Sequence, residues 1–566
     1  MTAKGLDMSD KRTVVIPFAM VLVVSALLLS SCLSLEPDTY SDYVGPADRA
    51  GLPPRPTWDS QRRGRGPDSN DKKAALEESV DANNAAVSEG PLKIGVQEAI
   101  LLAMENNQSL IVERMNPGIS RTFEQEELAV FDPVLGGEAS SRRALADRLS
   151  RAGSATESST VDSVTGLLSL AKLFPTGTTL GLEGGTSYTD SSLYSDTFAA
   201  NRLGLTVTQA LLRGLDLRAN LARVNQARLE TLISQYELRG FTEILLEQVE
   251  SKFWDYALAQ RQIEIYTDSL TLAEKQMTEA EERIKIGDLA ETELAAAQAE
   301  VALRRENLIN ARSTLAKERL DLLRLLNPSG SIDWNRDVIL QYDTSPPSVE
   351  LDNVEGHVEV ALRMRPDLNQ ARLQIRQGDL EVVRTKDGLL PRMDAFIAFG
   401  KTGYANAFNR ATDNIGGDSY DVTFGLTVEA SPVNAGARAQ YTRALMSRQQ
   451  SREALANLVQ LVQVDVRSAY IEVTRAREQI AATGATRNFQ EEKLRAETEK
   501  FRVGKSTSLL VGQAQRDFVA SQIAEIEALA NYLKALVALY RLEGSLLQRR
   551  GISAPGAEPA GLDLAR

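Results

Sequence analysis

The sequence predicts a mainly α-helical fold with a transmembrane β-barrel portion, in which long coiled-coil helical hairpins occur in tandem. Three observations carry this. The body of the chain repeats itself, a seven-residue apolar repeat runs through very long helical segments, and stretches of strict apolar–polar alternation precede each helical pair. The 566 residues carry a net charge of -13, with 25% charged and only 5% aromatic residues, a profile of long helices rather than a compact core. The acidic balance argues against a nucleic-acid partner.

At the start, Lys11 and Arg12 precede an apolar run from Val14 to Leu29, short for a permanent membrane helix and right for a secretory signal. The run ends in Leu29-Ser30-Ser31-Cys32, which resembles the bacterial lipobox, where the cysteine is lipidated and becomes the mature N-terminus. An incidental cysteine is the alternative. Leu33 and Ser34 follow, with no aspartate to suggest inner-membrane retention, so the expected address is the outer membrane. The signal is complete from Met8 as well as from Met1. Residues 33–90 are rich in Pro, Asp, Ser, Arg and Gly and read as a flexible tether, as does a disordered tail over 551–566.

The first unit is expected over 91–330, with strands at about 133–210 and a helical hairpin at about 215–327. A linker at 331–350 leads to the second unit at 351–550, with strands at about 391–430 and a hairpin at about 436–548. Each unit begins with a short amphipathic helix, Ile94 to Leu110 and Val354 to Leu368. Gly204-Leu205-Thr206-Val207 recurs as Gly425-Leu426-Thr427-Val428 before the second hairpin. From Val249 onward the halves align without a gap at a separation of 217 residues: Val249 on Val466, Gly287 on Gly504, Arg324 on Arg541.

In the first descending arm Val249, Tyr256, Ile263, Leu270, Met277 and Ile284 are seven apart, and Leu294, Val301, Leu308, Leu315 and Leu322 do the same on the return. A sustained heptad implies helices supercoiling along a shared seam. The descending arm, taken from about Leu215, reads as roughly 70 residues or about 105 Å. Its charged surface, with Glu279, Glu281, Glu282, Arg283 and Lys285, belongs in water. In the second copy Arg487 takes the slot of Leu270, so either the seam drifts there or the arginine has a polar partner or a water-filled space.

Tyr420, Val422, Phe424, Leu426 and Val428 alternate with polar or small residues over a length that crosses a bilayer when tilted. Its expected partner runs from about Pro391 to Tyr404. Leu203, Leu205 and Val207 alternate likewise, and Val164 to Lys172 and Thr178 to Tyr188 flank the turn sequence Pro175-Thr176-Gly177. A soluble sheet with one wet face has the same alternation; the outer-membrane address favours the membrane. Four to six strands cannot sit in lipid with open edges, so other copies of the chain must complete them.

These features together resemble the TolC-type outer-membrane efflux family from about Leu92 to Leu547. The most recognisable pieces are Val207-Thr208-Gln209-Ala210-Leu211-Leu212-Arg213-Gly214, Leu389-Leu390-Pro391-Arg392, and the turns Arg283-Ile284-Lys285-Ile286-Gly287 and Phe501-Arg502-Val503-Gly504; the family's usual proline in the first is Ala210 here. The resemblance implies a homotrimer with a shared β-barrel and an α-barrel tunnel through the periplasm. It implies tips at Ile286, Gly287 and Asp288, and at Val503, Gly504 and Lys505, that dock a periplasmic adaptor beneath an inner-membrane RND or ABC transporter. It also implies an aperture near Glu293; Leu510 stands where relatives carry the second acidic residue, leaving an apolar constriction at Leu509 and Leu510 as the alternative.

Catalytic chemistry is not expected. Gly504-Lys505-Ser506-Thr507 looks like the end of a phosphate loop, but Glu499 replaces the required glycine and the segment joins two helices. His357 is the only histidine and Cys32 the only cysteine, which leaves no ordinary zinc site, and no cofactor beyond a covalent lipid on Cys32 is expected. The expected function is passive conduction outward, for efflux or type I protein secretion; the competing reading is a non-conducting structural lipoprotein whose coiled coils bridge the envelope.

Overall fold

The computed structural model describes residues 91–149, 156–192, 196–287, 290–327, 334–342, 351, 353–553 and 555–556. The expected signal with Cys32, the tether, Asp288 and parts of the linker and tail lie outside the described residues.

The first half runs β1 (Leu92–Ile94), α1 (Val96–Asn106), α2 (Gln108–Glu113), α3 (Asn116–Leu128), β2 (Val134–Leu149), β3 (Thr156–Leu173), β4 (Thr178–Ser191), β5 (Phe198–Ala210), the one-turn α4 (Leu217–Asn220), and the arms α5 (Ala222–Lys285) and α6 (Thr292–Leu326). After β6 (Val338–Leu340) the second half runs α7 (Val354–Met364), α8 (Pro366–Asp387), β7 (Arg392–Ala405), α9 (Phe408–Asp413), β8 (Tyr420–Glu429), the arms α10 (Ala435–Arg502) and α11 (Ser508–Leu542), and a last turn α12 (Leu546–Arg549). Starts follow local chemistry. The Asn353 side chain accepts from the backbone of Glu355 and Gly356 to cap α7, and Pro366 opens α8, where its missing N–H costs nothing.

The duplication is visible in the helix ends. The descending arms end at Lys285 and Arg502, and both returning arms are 35 residues long. Left-handed residues follow at the same spacing: Gly287 with Gly504, and Asn327 with Gly544. The first descending helix is shorter than its sequence suggests. The chain turns out of helix at Leu221, because Asp216 caps α4 and the Asn220 amide donates to the Pro175 and Gly214 carbonyls, leaving 64 residues in α5. That is about 96 Å at 1.5 Å per residue; α10, with 68 residues, has no such break.

The heptad residues form the seams. Val249, Tyr256, Val301, Leu308, Leu322, Val466 and Val473 are buried, and the other apolar residues of the repeat are partly buried. Arg487 has a polar partner: its guanidinium reaches Glu525 on α11 at 2.9 Å and Glu491 one turn on. The main core lies where α1, the middle of α5 and the ends of α6 and α11 meet, around Ile100, Leu246, Phe253, Leu323, Leu326 and Leu539. The parallel β1–β6 pair closes over it, and Tyr256 donates its hydroxyl to the Val338 carbonyl. Arg239 is 1% exposed, donating to Glu243 and to the carbonyls of Gly544 and Gly556. Burial there pushes the Glu243 carboxyl up to about 7, against the pull of Arg239.

One six-stranded sheet, ordered β2-β3-β4-β5-β7-β8 and antiparallel throughout, takes four strands from the first half and two from the second. Six is the upper end of the expected range. Among the described residues no helix is long and apolar enough to cross a membrane.

Candidate functional site

Each tip is a glycine turn. Gly287 has φ 80° and Gly504 φ 72°, and a Cβ at either would meet nothing within 4 Å, so backbone conformation rather than space calls for glycine. Gly287 donates to the Ile284 carbonyl, Gly504 to Phe501, and Lys505 to Lys500, which satisfies the last carbonyls of each helix. Ile286 is 79% exposed and Val503 62%, apolar side chains held out at the turns. The phosphate-loop look-alike spans this helix-to-helix turn, with Thr507 capping α11 by accepting from Leu510 N–H.

The two tips are tied together. Ser508 donates its hydroxyl to the Glu293 carboxylate, the Arg283 guanidinium lies 5.4 Å from the Phe501 ring centre, and Arg516 meets Glu300 at 2.8 Å. Glu293 is thus bonded to the opposite hairpin. Leu509 and Leu510, next to Ser508, remain exposed. Sequence reasoning named Glu293, Leu509 and Leu510 but missed Ser508, Arg516 and Glu300, because their meeting depends on how one hairpin lies against the other.

At the other end of the helices the sheet gathers most of its large apolar residues on one face, which Lys401 and, toward the β2–β3 turn, Arg143 and Asp162 share. Opposed residues of antiparallel strands share a face, so the register puts Leu135, Leu170, Leu182, Leu205, Phe399 and Val422 in one row. Leu168, Leu203, Phe424, Leu426 and Val428 lie on the same face, and Phe424 is 81% exposed. The opposite face carries Ser140, Thr165, Thr179, Thr206, Thr208, Thr423 and Thr427. Such a band of bare apolar side chains suits contact with lipid. The unpaired long edges of β2 and β8 are the two ends of the sheet.

The strand-to-helix junction carries the resemblance motifs. Leu211 donates to the Met393 carbonyl, Gly214 to the Asp387 carboxylate, and the Asn434 amide to Leu389. Ala210, in place of the usual proline, donates its N–H to the Gly177 carbonyl at 3.0 Å, a bond proline cannot make. His357 is buried, its Nδ1 against Glu543, which also accepts from Ser545 and pairs with Arg549. These contacts hold Glu543 below the usual carboxylate range against the opposing effect of burial.

Among curated proteins, none matches the chain's sequence. Solved structures match its fold. The outer-membrane channel OprN aligns with TM-score 0.61 at 15% identity, covering 80% of this chain and 90% of that one. The Campylobacter jejuni CmeC outer membrane channel aligns at 0.58 and 14%, covering 83% and 87%. The open state of the Neisseria gonorrhoeae MtrE outer membrane channel aligns at 0.57 and 16%, covering 82% and 94%. The profile of the outer membrane efflux protein family matches residues 168–328 and 358–545, one stretch in each half. With its tandem hairpins, its two-faced sheet and that match over more than half its length, the chain belongs to the outer membrane efflux protein family.

Proposed function

We propose that this chain is the outer-membrane exit duct of a tripartite export assembly, working as a homotrimer anchored by a lipid on Cys32. The observation that carries the reading is the six-stranded sheet with a bare apolar face and two open edges. In lipid, every unpaired edge N–H and C=O costs several kcal/mol, so β8 of one copy must pair with β2 of the next until the wall closes.

The helices argue for the same closure. Within the chain, returning arm α11 lies on descending arm α5: Lys534 pairs with Asp255 and Arg541 with Glu247. By the repeat, α6 should lie on an α10, and among the described residues no ion pair or hydrogen bond joins them. Leu303, Ile309 and Leu320 on α6, and Leu461, Val464, Ile471 and Phe489 on α10, are left exposed. The α10 of the next copy fits that vacancy, turning two repeats per chain into six around a trimer.

In this reading a periplasmic adaptor docks on the tips at Ile286, Gly287, Asp288, Val503, Gly504 and Lys505. An inner-membrane transporter of the RND or ABC class supplies the energy, and the chain conducts passively to the exterior. Glu293 with Ser508, and Leu509 with Leu510, form the aperture that the adaptor widens. The reading assigns no catalysis to the chain.

The test is planar-bilayer conductance of detergent-extracted protein, with oligomeric mass measured on the same sample. Long-lived unitary steps from a trimer are expected, larger after Ser508→Ala loosens the tips. A stable monomer that never conducts, even as that variant, would leave an envelope-bridging scaffold instead.

A further inference from the structure

On the polar face of the sheet one cross-strand row reads Ser169, Glu183, Gly204, Gly400 and Asp421. Its two glycines are bare where charged side chains lie across them. A Cβ on Gly400 would sit 2.3 Å from Nη2 of Arg202 and 2.8 Å from Oδ1 of Asp421; one on Gly204 would sit 2.9 Å from Cγ of Glu183. Arg202 on β5 therefore reaches across β7 and grips Asp421 on β8 with both ends of its fork, at 2.5 and 2.8 Å. Glu183 has no ion pair among the described residues. Tyr404, on the same face near the mouth, stacks with Phe198 at 5.6 Å.

The charges do not cancel. Asp421 neutralises Arg202, and Glu183 is left as one net negative charge per chain at this level. On the same face Glu138 stands in the row of Arg202, Arg142 lies four residues further along β2, and Arg392 pairs with Asp394 and faces Glu429 at the helix end of the wall. We propose that Glu183, framed by the Arg202–Asp421 brace, is a charge filter in the barrel lumen that makes the duct prefer cationic over anionic permeants. This rests on the reading of the sheet as a shared barrel wall, where three copies bring three uncompensated carboxylates to one level. Rings of Asp or Glu select cations because the fixed charge raises the local cation concentration in a narrow water-filled passage. The brace has its own part: it engages both ends of the Arg202 fork on Asp421, so that Arg202 acts on Glu183 only through space and forms no ion pair with it.

The experiment is the reversal potential of single channels in a KCl gradient, for wild type, Glu183→Gln, Glu183→Lys, Gly400→Ala and Glu293→Gln. Wild type should favour potassium, Glu183→Gln should bring the permeability ratio at least about twofold toward unity, and Glu183→Lys should favour chloride. Gly400→Ala, which changes no charge but displaces the flexible end of Arg202, should move the ratio the same way as Glu183→Gln. An unchanged ratio in the Glu183 variants, or a preference abolished by Glu293→Gln at the tips alone, would overturn the filter while leaving the duct intact. Absence of unitary conductance in wild type would remove both.

Discussion

The two hairpins are copies of one unit, yet the chain treats them differently. Their turns, their 35-residue returning arms and their left-handed terminal residues coincide at a single offset. Their surroundings do not. Descending arm α5 is covered by α3, α8 and α11, and buried residues recur along most of its length; α10 buries only Ala444, Val462, Val466, Val473 and Ala476. Counterparts show what changed. Glu247, paired with Arg541, corresponds to exposed Val464; Trp254, packed edge-on against Phe253 and Tyr342, corresponds to exposed Ile471. The buried pair Arg239–Glu243 corresponds to Ala456 and Gln460. Duplication preserved the internal seam, which each hairpin makes for itself, and freed the outer face, which α11 covers on α5 and which stays exposed on α10.

The sharpest way to break the comparison is at the seam. Val249→Asp and Val466→Asp each put an unpaired charge at a position no more than 1% exposed, and each should cost roughly 3–5 kcal/mol. Thermal unfolding followed by circular dichroism would check that the two losses are similar; a harmless Val466→Asp would mean the second seam is not a core. Next in size is Ile471→Glu on the open face of α10. It should abolish the oligomer, read as mass in detergent, while leaving the helical content of the protomer intact. If the trimer persists, that face is not the joint.

A third prediction sharpens the comparison. The pair Lys534–Asp255 has the repeat equivalents Lys317 and Glu472, both exposed and opposite in charge. Lys317→Cys with Glu472→Cys should therefore crosslink between copies, whereas Lys534→Cys with Asp255→Cys should crosslink within one chain and leave the denatured mass unchanged. The smallest effect is at Glu243. Burial raises its carboxyl from 4.5 to about 7, so the folded state keeps the proton to higher pH than the unfolded chain. The stability linked to that proton is complete below the unfolded value and lost as pH rises toward 7. Glu243→Gln, which makes the first copy resemble Gln460 of the second, should remove this pH dependence, so that its stability relative to wild type rises between about pH 5 and 8. A melting-temperature difference independent of pH would count against it.

Much of this was legible in the chain. Heptads from Val249 to Ile284 are local and periodic, so the seam can be read without a structure. Gly287 and Gly504 announce their turns because a positive φ needs them. Alternation found β8 at Tyr420 to Val428, but it shows β2 poorly, since Glu138, Arg142 and Arg143 lie among small residues there and a barrel strand's signal is weak. The break at Leu221 was hidden because it depends on Asn220 reaching carbonyls brought up by a distant turn. The tip ties and the Arg202–Asp421 brace were hidden for the same reason: each joins residues more than 190 apart in sequence. Arg487, ambiguous in the sequence, is resolved by Glu525 on the facing arm.

Because Ser508 must meet Glu293 at one end while Leu211 meets Met393 at the other, the two hairpins act as matched rulers. Removing one heptad from α10 and α11 alone would lift their tip by about 10 Å and strand Glu293 without its partner. Removing it from both hairpins would keep every tie and shorten the reach of the whole. Length in this architecture is a shared quantity, adjustable in steps of a heptad and only in both copies together.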